Sequence, residues 1–228
     1  PTTYIYTLSL HDALPIYGNA GILGGAGSMV GAAFLAGRAA LKLGSGRVYL
    51  GLLDPQAPAL DPLQPEVMLR DARTLLSTPL TALACGPGMG SSEEAATLLQ
   101  EAALLDLPLV LDADALNLVA ASSTLRAAFT TRSAATLLTP HPAEAARLLA
   151  CDIASVQNDR IAAACELAHR HAAHVVLKGC GSIVAAPDGR CFLNTSGNAG
   201  LATAGSGDVL TGFVTALLAQ GWPDRKSV

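Results

Sequence analysis

Charge is scarce in this chain. Only 14% of its 228 residues are Asp, Glu, Lys or Arg, too few for a disordered or coiled-coil protein. Lys+Arg 14 against Asp+Glu 18 leaves a net charge of −4, and no basic block occurs, which argues against a nucleic-acid backbone binder. Aromatic residues are 4%, which disfavours a stacking platform for single strands. Gly, Pro, Asp or Arg breaks every long apolar run well short of about 18 residues, so no membrane span is expected. A charged segment leading into an apolar one is also missing, so no secretory signal is expected. The five cysteines (Cys85, Cys151, Cys165, Cys180, Cys191) are an odd count with no Cys-x-x-Cys. Reduced, mostly buried thiols are expected rather than a disulfide or zinc framework, and a cytoplasmic enzyme fits best. What is abundant is apolar: 51% of residues, enough for the core of one α/β domain.

The two ends differ from the middle. Tyr4, Tyr6 and Tyr17, three of the four tyrosines, lie in the first 17 residues, a stretch rich in Thr and Leu. Within it TLSLHDALPI resembles a translated sequencing adapter, and the tail from Asp224 to Val228 has the same character. Residues 1–17 and 224–228 are therefore expected to be foreign and are set aside, leaving one domain over 18–223.

Between those ends, short apolar strands alternate with helices. Strands are expected at 20–23, 47–53, 81–85, 107–111, 135–138, 175–177, 182–186 and 190–193. Helices are expected at 28–43, after Ser91 or Ser92, from Pro142 to Ala150, at 157–173, and from 204–208 to Gly221. The four prolines of 54–65 mark a loop. This order predicts an α/β fold, a three-layer sandwich whose mostly parallel sheet carries helices on both faces. In such folds the ligand site lies at the carboxyl ends of the strands. Six clusters fall there: 24–31, 86–90, 112–117, 139–144, 178–182 and 198–208.

Gly205-Ser206-Gly207-Asp208 is the most informative of them. Glycines before a helix expose backbone N–H groups, which together with the helix dipole hold an anion. Asp208 would repel a phosphate, so its use beside such a nest is to take or orient a hydroxyl proton. The alternative is a plain helix start. Lys178, one of only three lysines, can reach a phosphate, or the amides of its glycine turn can wrap one; a solvated turn lysine is the alternative. His141, between two prolines, is either a rigid polar contact or a surface cap. Asp114 is expected to cap a helix, while Asp112 stays open between an acid, a contact to magnesium-bound water and a turn residue. His169, His171 and His174 are expected at the surface rather than on a metal. Gly25-Ala-Gly27-Ser-Met-Val-Gly31, with Asp54 closing the next strand as a ribose-binding acid would, mimics a dinucleotide fingerprint at the wrong spacing.

Taken in order, GGAGSMVGAAFLAGRAALKLGSGRVYL, ALACGPGMG, LVLDADALN, LLTPHPAEAARLL, VVLKGCGSIV and NTSGNAGLATAGSGDVLTGFVTALLAQG resemble the ADP- or ATP-dependent NAD(P)H-hydrate dehydratases, a ribokinase-like family. The likeness runs from about Gly18 to Gly221. It implies a repair enzyme that removes water from hydrated NADH or NADPH at the expense of ADP or ATP, with ADP giving AMP and phosphate. By this resemblance Asp208 is catalytic, and Ala32, Gly88, His141 and Asp208 line the hydrated-cofactor site. The nucleotide would lie on Lys178, Gly179, Cys180, Gly181, Ser182 and Gly207. Asn117, Asn198, Gly205 and Ser206 are further pocket candidates. Magnesium is expected with the nucleotide, without a dedicated ligand cage. A homo-oligomer, tetrameric in the family, is expected, with neither nucleic acid nor membrane as partner. The competing readings are a ribokinase-like kinase of a small alcohol, such as hydroxymethylpyrimidine or hydroxyethylthiazole, and a nucleotide-binding module without catalysis.

The chain departs from the family pattern in places. Pro15-Ile16-Tyr17-Gly18 replaces a Lys-Gly-x-x-Gly stretch, and the family continues beyond the last helix, so scaffold is expected to be missing at both ends. Ser206, Ala199 and Gly181-Ser182 stand where Thr, Pro and Gly-Thr are common.

Overall fold

The computed structural model describes residues 17–222; of the ends expected to be foreign, residues 1–16 and 224–228 lie outside them. On the central strands alternating side chains are buried on both faces, as a covered parallel sheet requires, while the edge strands are more exposed. In β4 (Ala82–Cys85), for example, Leu83 and Cys85 enter one core while Ala82 and Ala84 enter the other. The other strands are β1 (Asn19–Gly24), β2 (Arg47–Leu52), β3 (Met68–Asp71), β5 (Leu109–Leu111), β6 (Thr136–Leu138), β7 (His174–Leu177), β8 (Ile183–Ala185) and β9 (Cys191–Leu193). Their order across the sheet is β3-β2-β1-β4-β5-β6-β7-β8-β9. Pairing is parallel from β3 to β7 and antiparallel over the last two pairs. The hairpin expected through Pro187-Asp188-Gly189 joins β8 to β9.

Among the described residues, two helices cover one face: α1 (Val30–Lys42) and α9 (Ser206–Ala219). The other face carries α2 (Ala72–Leu76), α3 (Glu93–Ala103), α4 (Ala113–Ala121), α5 (Ser123–Thr130), α6 (Pro142–Leu149), α7 (Ile153–Asn158) and α8 (Arg160–His171). The architecture is the three-layer α/β sandwich expected. The chain runs outward through β1, β2 and β3, then returns to place β4 on the other side of β1. The loops after β1 and β4 therefore flank the point where strand order reverses, the crevice in which doubly wound sheets bind ligands.

Several local expectations are corrected. The helix at 157–173 is two helices, because Asp159 leaves helical geometry and its carboxylate caps α8 at the Ala162 N–H. Strand β3 and helices α2 and α5 lie where no element was expected. Asp114 is not the cap of α4; Asp112 holds that position, without a side-chain cap bond. His171 is buried rather than at the surface, and its imidazole resists protonation because burial disfavours the charge. The thiols are all free, but only Cys85 is buried, while Cys151 and Cys180 are exposed. Exposed thiols remain compatible with a reducing compartment. No group of His, Cys, Asp or Glu suited to hold a metal occurs among the described residues. No helix among them is long and apolar enough to cross a membrane.

Candidate active site

The site is built where the glycine loops touch. Gly25 N–H donates to the Pro87 carbonyl at 2.9 Å and Ala26 N–H to the Gly88 carbonyl at 2.7 Å, tying the β1–α1 loop to the β4–α3 loop. Gly88 sits at φ +58°, and a Cβ there would stand 2.4 Å from the Met29 carbonyl and 3.2 Å from the Ala32 side chain. Only glycine permits this approach, which brings Ala32 and Gly88 onto one wall. Asp114 extends the same tie: its Oδ2 accepts the Gly90 N–H at 2.8 Å.

The second wall comes from β5, β6, β7 and α9. Asp112, at the end of β5, is buried and uses both oxygens: Lys178 Nζ donates to one at 2.6 Å and Thr211 Oγ1 to the other at 2.8 Å. Lys178, just past β7, also stands 3.9 Å from the buried carboxylate of Glu144. A solvated turn lysine is thereby ruled out: four-fifths of its side chain is covered and its charge is neutralised from two sides. Its own N–H donates to the Pro140 carbonyl at 2.8 Å, which fixes β7 against the Thr139-Pro140-His141 turn.

Of the two roles expected of His141, the structure shows the cap. It caps α6, with Nδ1 accepting the Ala143 and Glu144 N–H groups at 3.1 and 3.3 Å, while Glu144 accepts the His141 N–H at 2.7 Å. Because Nδ1 accepts, the proton of the neutral ring sits on Nε2, 3.2 Å from Glu144 Oε1. Half of the imidazole stays exposed, available to a ligand. Burial pushes the Glu144 carboxyl above its usual range, against the opposing pull of Lys178.

Asp208 lies in the first turn of α9, after Gly205 in the left-handed conformation at φ +84°. A Cβ on Gly207 would be 3.4 Å from Lys178 Nζ and 3.8 Å from Asp112 Oδ2, so the glycine-rich start of α9 rests against that ion pair. The Asp208 carboxylate receives no hydrogen bond from the described residues. Burial, then the like charge of Asp112, raises its pKa to about 6, with Lys178 opposing. It is thus ionised near neutral pH yet basic enough to take a proton.

The loop 178–182 is held from outside by Arg160, which the sequence reading missed. Its guanidinium donates to the carbonyls of Cys180 (2.6 Å), Lys178 (3.2 Å) and Leu177 (3.3 Å). Gly179, at φ +145°, leaves room for it, and Ser182 Oγ closes the turn on the Gly179 carbonyl at 3.1 Å. Thr211 was missed too; a Thr three residues after Asp208 on the same helix was its one signal. Two pocket candidates hold other contacts. Asn117 accepts from Arg147 at 3.0 Å, linking α4 to α6, and Asn198 is exposed, capping the 3-10 turn Ala199–Leu201 through the Gly200 N–H. Gly205, Ser206 and Gly207 form the start of α9 itself.

Comparison with known proteins fits this geometry. Residues 20–228 match the family model described as NAD(P)H-hydrate dehydratase. The chain is similar to the ADP-dependent (S)-NAD(P)H-hydrate dehydratase of Neisseria meningitidis serogroup B, at 46% identity over 81% of this chain and 64% of that protein. It is also similar to the bifunctional NAD(P)H-hydrate repair enzyme of Coxiella burnetii, at 37% identity over 90% of this chain and 41% of that one. Among solved structures, the ADP/ATP-dependent NAD(P)H-hydrate dehydratase of Bacillus subtilis, co-crystallised with ATP and Mg²⁺, superposes with a TM-score of 0.82 at 30% identity, over 94% of this chain and 77% of that one. The chain thus spans less than two thirds of the curated relatives it matches.

Proposed function

Because the chain belongs to the NAD(P)H-hydrate dehydratase family, we propose that it restores hydrated NADH or NADPH by nucleotide-dependent dehydration, with Asp208 as the catalytic base. The observation that carries the reading is Asp208 itself: a carboxylate of raised pKa, without a hydrogen bond from the described residues, at the amide-rich start of α9.

The reaction follows from these groups. A ring hydroxyl is a poor leaving group. Asp208 takes its proton as the hydroxyl oxygen attacks the terminal phosphorus of ADP; a P–O bond forms, the P–O bond to AMP breaks, and AMP leaves. The phosphate ester then departs as inorganic phosphate, which takes up the proton that a neighbouring ring carbon loses, and the conjugated dihydropyridine returns. The N–H groups at the start of α9 face the charge that develops on the transferred phosphoryl group. Residues 178–182 and Gly207 hold the nucleotide, and Ala32, Gly88 and His141 the hydrated ring. Lys178 holds its place through its hydrogen bond to Asp112 and the nearby charge of Glu144, and offers the remaining donors of its ammonium to phosphate oxygens.

Magnesium fits only as an ion that arrives on the nucleotide. Mg²⁺ keeps several waters and takes one or two carboxylates beside substrate phosphates, and the described residues hold no metal cage. Asp112 and Glu144, beside Lys178, are the carboxylates that would meet it, and bound there it would neutralise phosphate charge. The reading sets the reaction in the cytoplasm, where exposed thiols such as Cys151 and Cys180 stay reduced.

The test is incubation of the chain with hydrated NADH and ADP, or ATP, following the absorbance of the reduced nicotinamide. Recovery of that absorbance supports the reading. Its absence, with phosphorylation of hydroxymethylpyrimidine or hydroxyethylthiazole instead, refutes it.

A further inference from the structure

The nucleotide loop has a support that the reaction above does not use. Arg160 is the first residue of α8, and its guanidinium is spent on backbone oxygens of that loop. Nη1 donates to the Cys180 carbonyl at 2.6 Å, and Nη2 to the Lys178 and Leu177 carbonyls at 3.2 and 3.3 Å. Gly179 makes this approach possible: at φ +145°, a Cβ there would stand 2.8 Å from Nη2. The arrangement has a cost, because Arg160 Nε is buried without a partner among the described residues.

Peptide geometry carries the effect across the loop. A trans peptide points its C=O and the following N–H in opposite directions. Fixing the Lys178 and Cys180 carbonyls on Arg160 therefore turns the Gly179 and Gly181 N–H groups to the other side. Neither of these N–H groups has a hydrogen-bond partner among the described residues. The N–H that follows the third carbonyl, that of Lys178, is taken by Pro140 at 2.8 Å. A cation on a carbonyl also polarises its peptide, which strengthens the N–H as a donor. Two such N–H groups on one glycine turn form a concavity suited to an anion.

We propose that Arg160 is a positioning residue for the nucleotide: it holds the Lys178 and Cys180 carbonyls so that the Gly179 and Gly181 N–H groups meet the phosphate that stays with AMP. The inference rests on the reading that residues 178–182 hold the nucleotide. In that reading the start of α9 takes the transferred phosphoryl group, so the loop meets the phosphate that remains. Arg160 then touches neither the phosphates nor the reacting hydroxyl. It acts on binding, and on ADP and AMP alike.

The test titrates ADP and AMP calorimetrically into the parent, Arg160→Ala and Arg160→Lys, and follows turnover of hydrated NADH against ADP concentration. Arg160→Ala is expected to weaken ADP and AMP by the same factor, about tenfold or more for lost charged hydrogen bonds, and to raise the KM for ADP with kcat within about twofold. Arg160→Lys keeps the charge but not the fork, so its affinities fall below the parent's and above those of the alanine variant. Unchanged ADP affinity in a folded alanine variant, a loss for ADP that spares AMP, or a fall in kcat at unchanged KM would overturn the proposal. So would parent affinity in the lysine variant, which decides the matter where the alanine variant does not fold. A chain whose ADP affinity follows Arg160 yet which restores no hydrate sinks the dehydratase reading and leaves Arg160 in its role.

Discussion

The two faces of the sheet are packed by different means. On one, seven helices close over the sheet with large side chains: Leu75, Leu98, Leu99, Leu116 and Phe129 are all buried there. On the other, among the described residues only α1 and α9 lie over the strands, and their buried positions are mostly small, Ala33, Ala36 and Ala40 against Ala216 and Ala219. Where the helices cross, a Cβ on Gly212 would stand 2.0 Å from the Ala36 carbonyl. Leucines tolerate loss and repacking at an energetic cost; a backbone-to-backbone contact tolerates almost no addition. Since α9 carries Asp208, the small-residue face positions the proposed base, while the leucine face supplies the bulk of the buried apolar volume.

The largest test of that division is Asp208→Asn, expected to lower turnover by ~10²-fold or more, as for loss of a general base, while nucleotide binding, read by thermal shift, persists. Unchanged turnover would remove Asp208 from its role. Next comes Leu98→Ala on the leucine face. It should cost about 2–5 kcal/mol in denaturant unfolding, with turnover per folded molecule close to that of the parent. Gly212→Ala inverts the pattern. Its helix propensity gain is outweighed by the clash with Ala36, so a net loss of about 1–3 kcal/mol is expected, and displacement of α9 lowers turnover several-fold. If Leu98→Ala were the one to slow catalysis and Gly212→Ala did not, the comparison would be the wrong way round.

The smallest effects are those of pH. Asp208 must be ionised to act, so kcat/KM should fall tenfold per unit below about pH 6; a profile flat down to pH 4.5 contradicts the base. The same raised pKa works against stability. The folded state holds the proton more tightly than the unfolded chain, whose Asp titrates near 3.8, so stability falls as pH rises between these values. Asp208→Asn should therefore stabilise the fold at pH 7 by about 1 kcal/mol, a figure reduced for partial solvent screening, and the gain should vanish below about pH 4. A melting temperature for this variant no higher than the parent's at pH 7 would remove the desolvation cost.

Much of the scaffold was legible because it rests on local rules. Apolar runs closed by Gly, Pro or Asp marked most of the strands, and Ser92 capped its helix as its position suggested. Strand β3 was hidden because Met68–Asp71 is half exposed and carries no apolar run, and it follows a loop dense in proline. The break at Asp159 was hidden because the two short helices continue one amphipathic pattern. In the site, the glycine nest and Asp208 could be read from order alone. Arg160 could not: nothing local says that a helix-start arginine reaches back to three carbonyls of a loop about 20 residues on.

By itself the sequence determined the alternation of strands and helices, the glycines at strand ends and the residue types available for proton transfer, because period, turn geometry and ionisable groups are local properties. Only the tertiary structure decided what those groups do to one another. Lys178 meets Asp112 across 66 residues of chain, and Thr211 meets it across 99. Those contacts set the charge around Asp208, and charge depends on distance and burial, which no local pattern encodes.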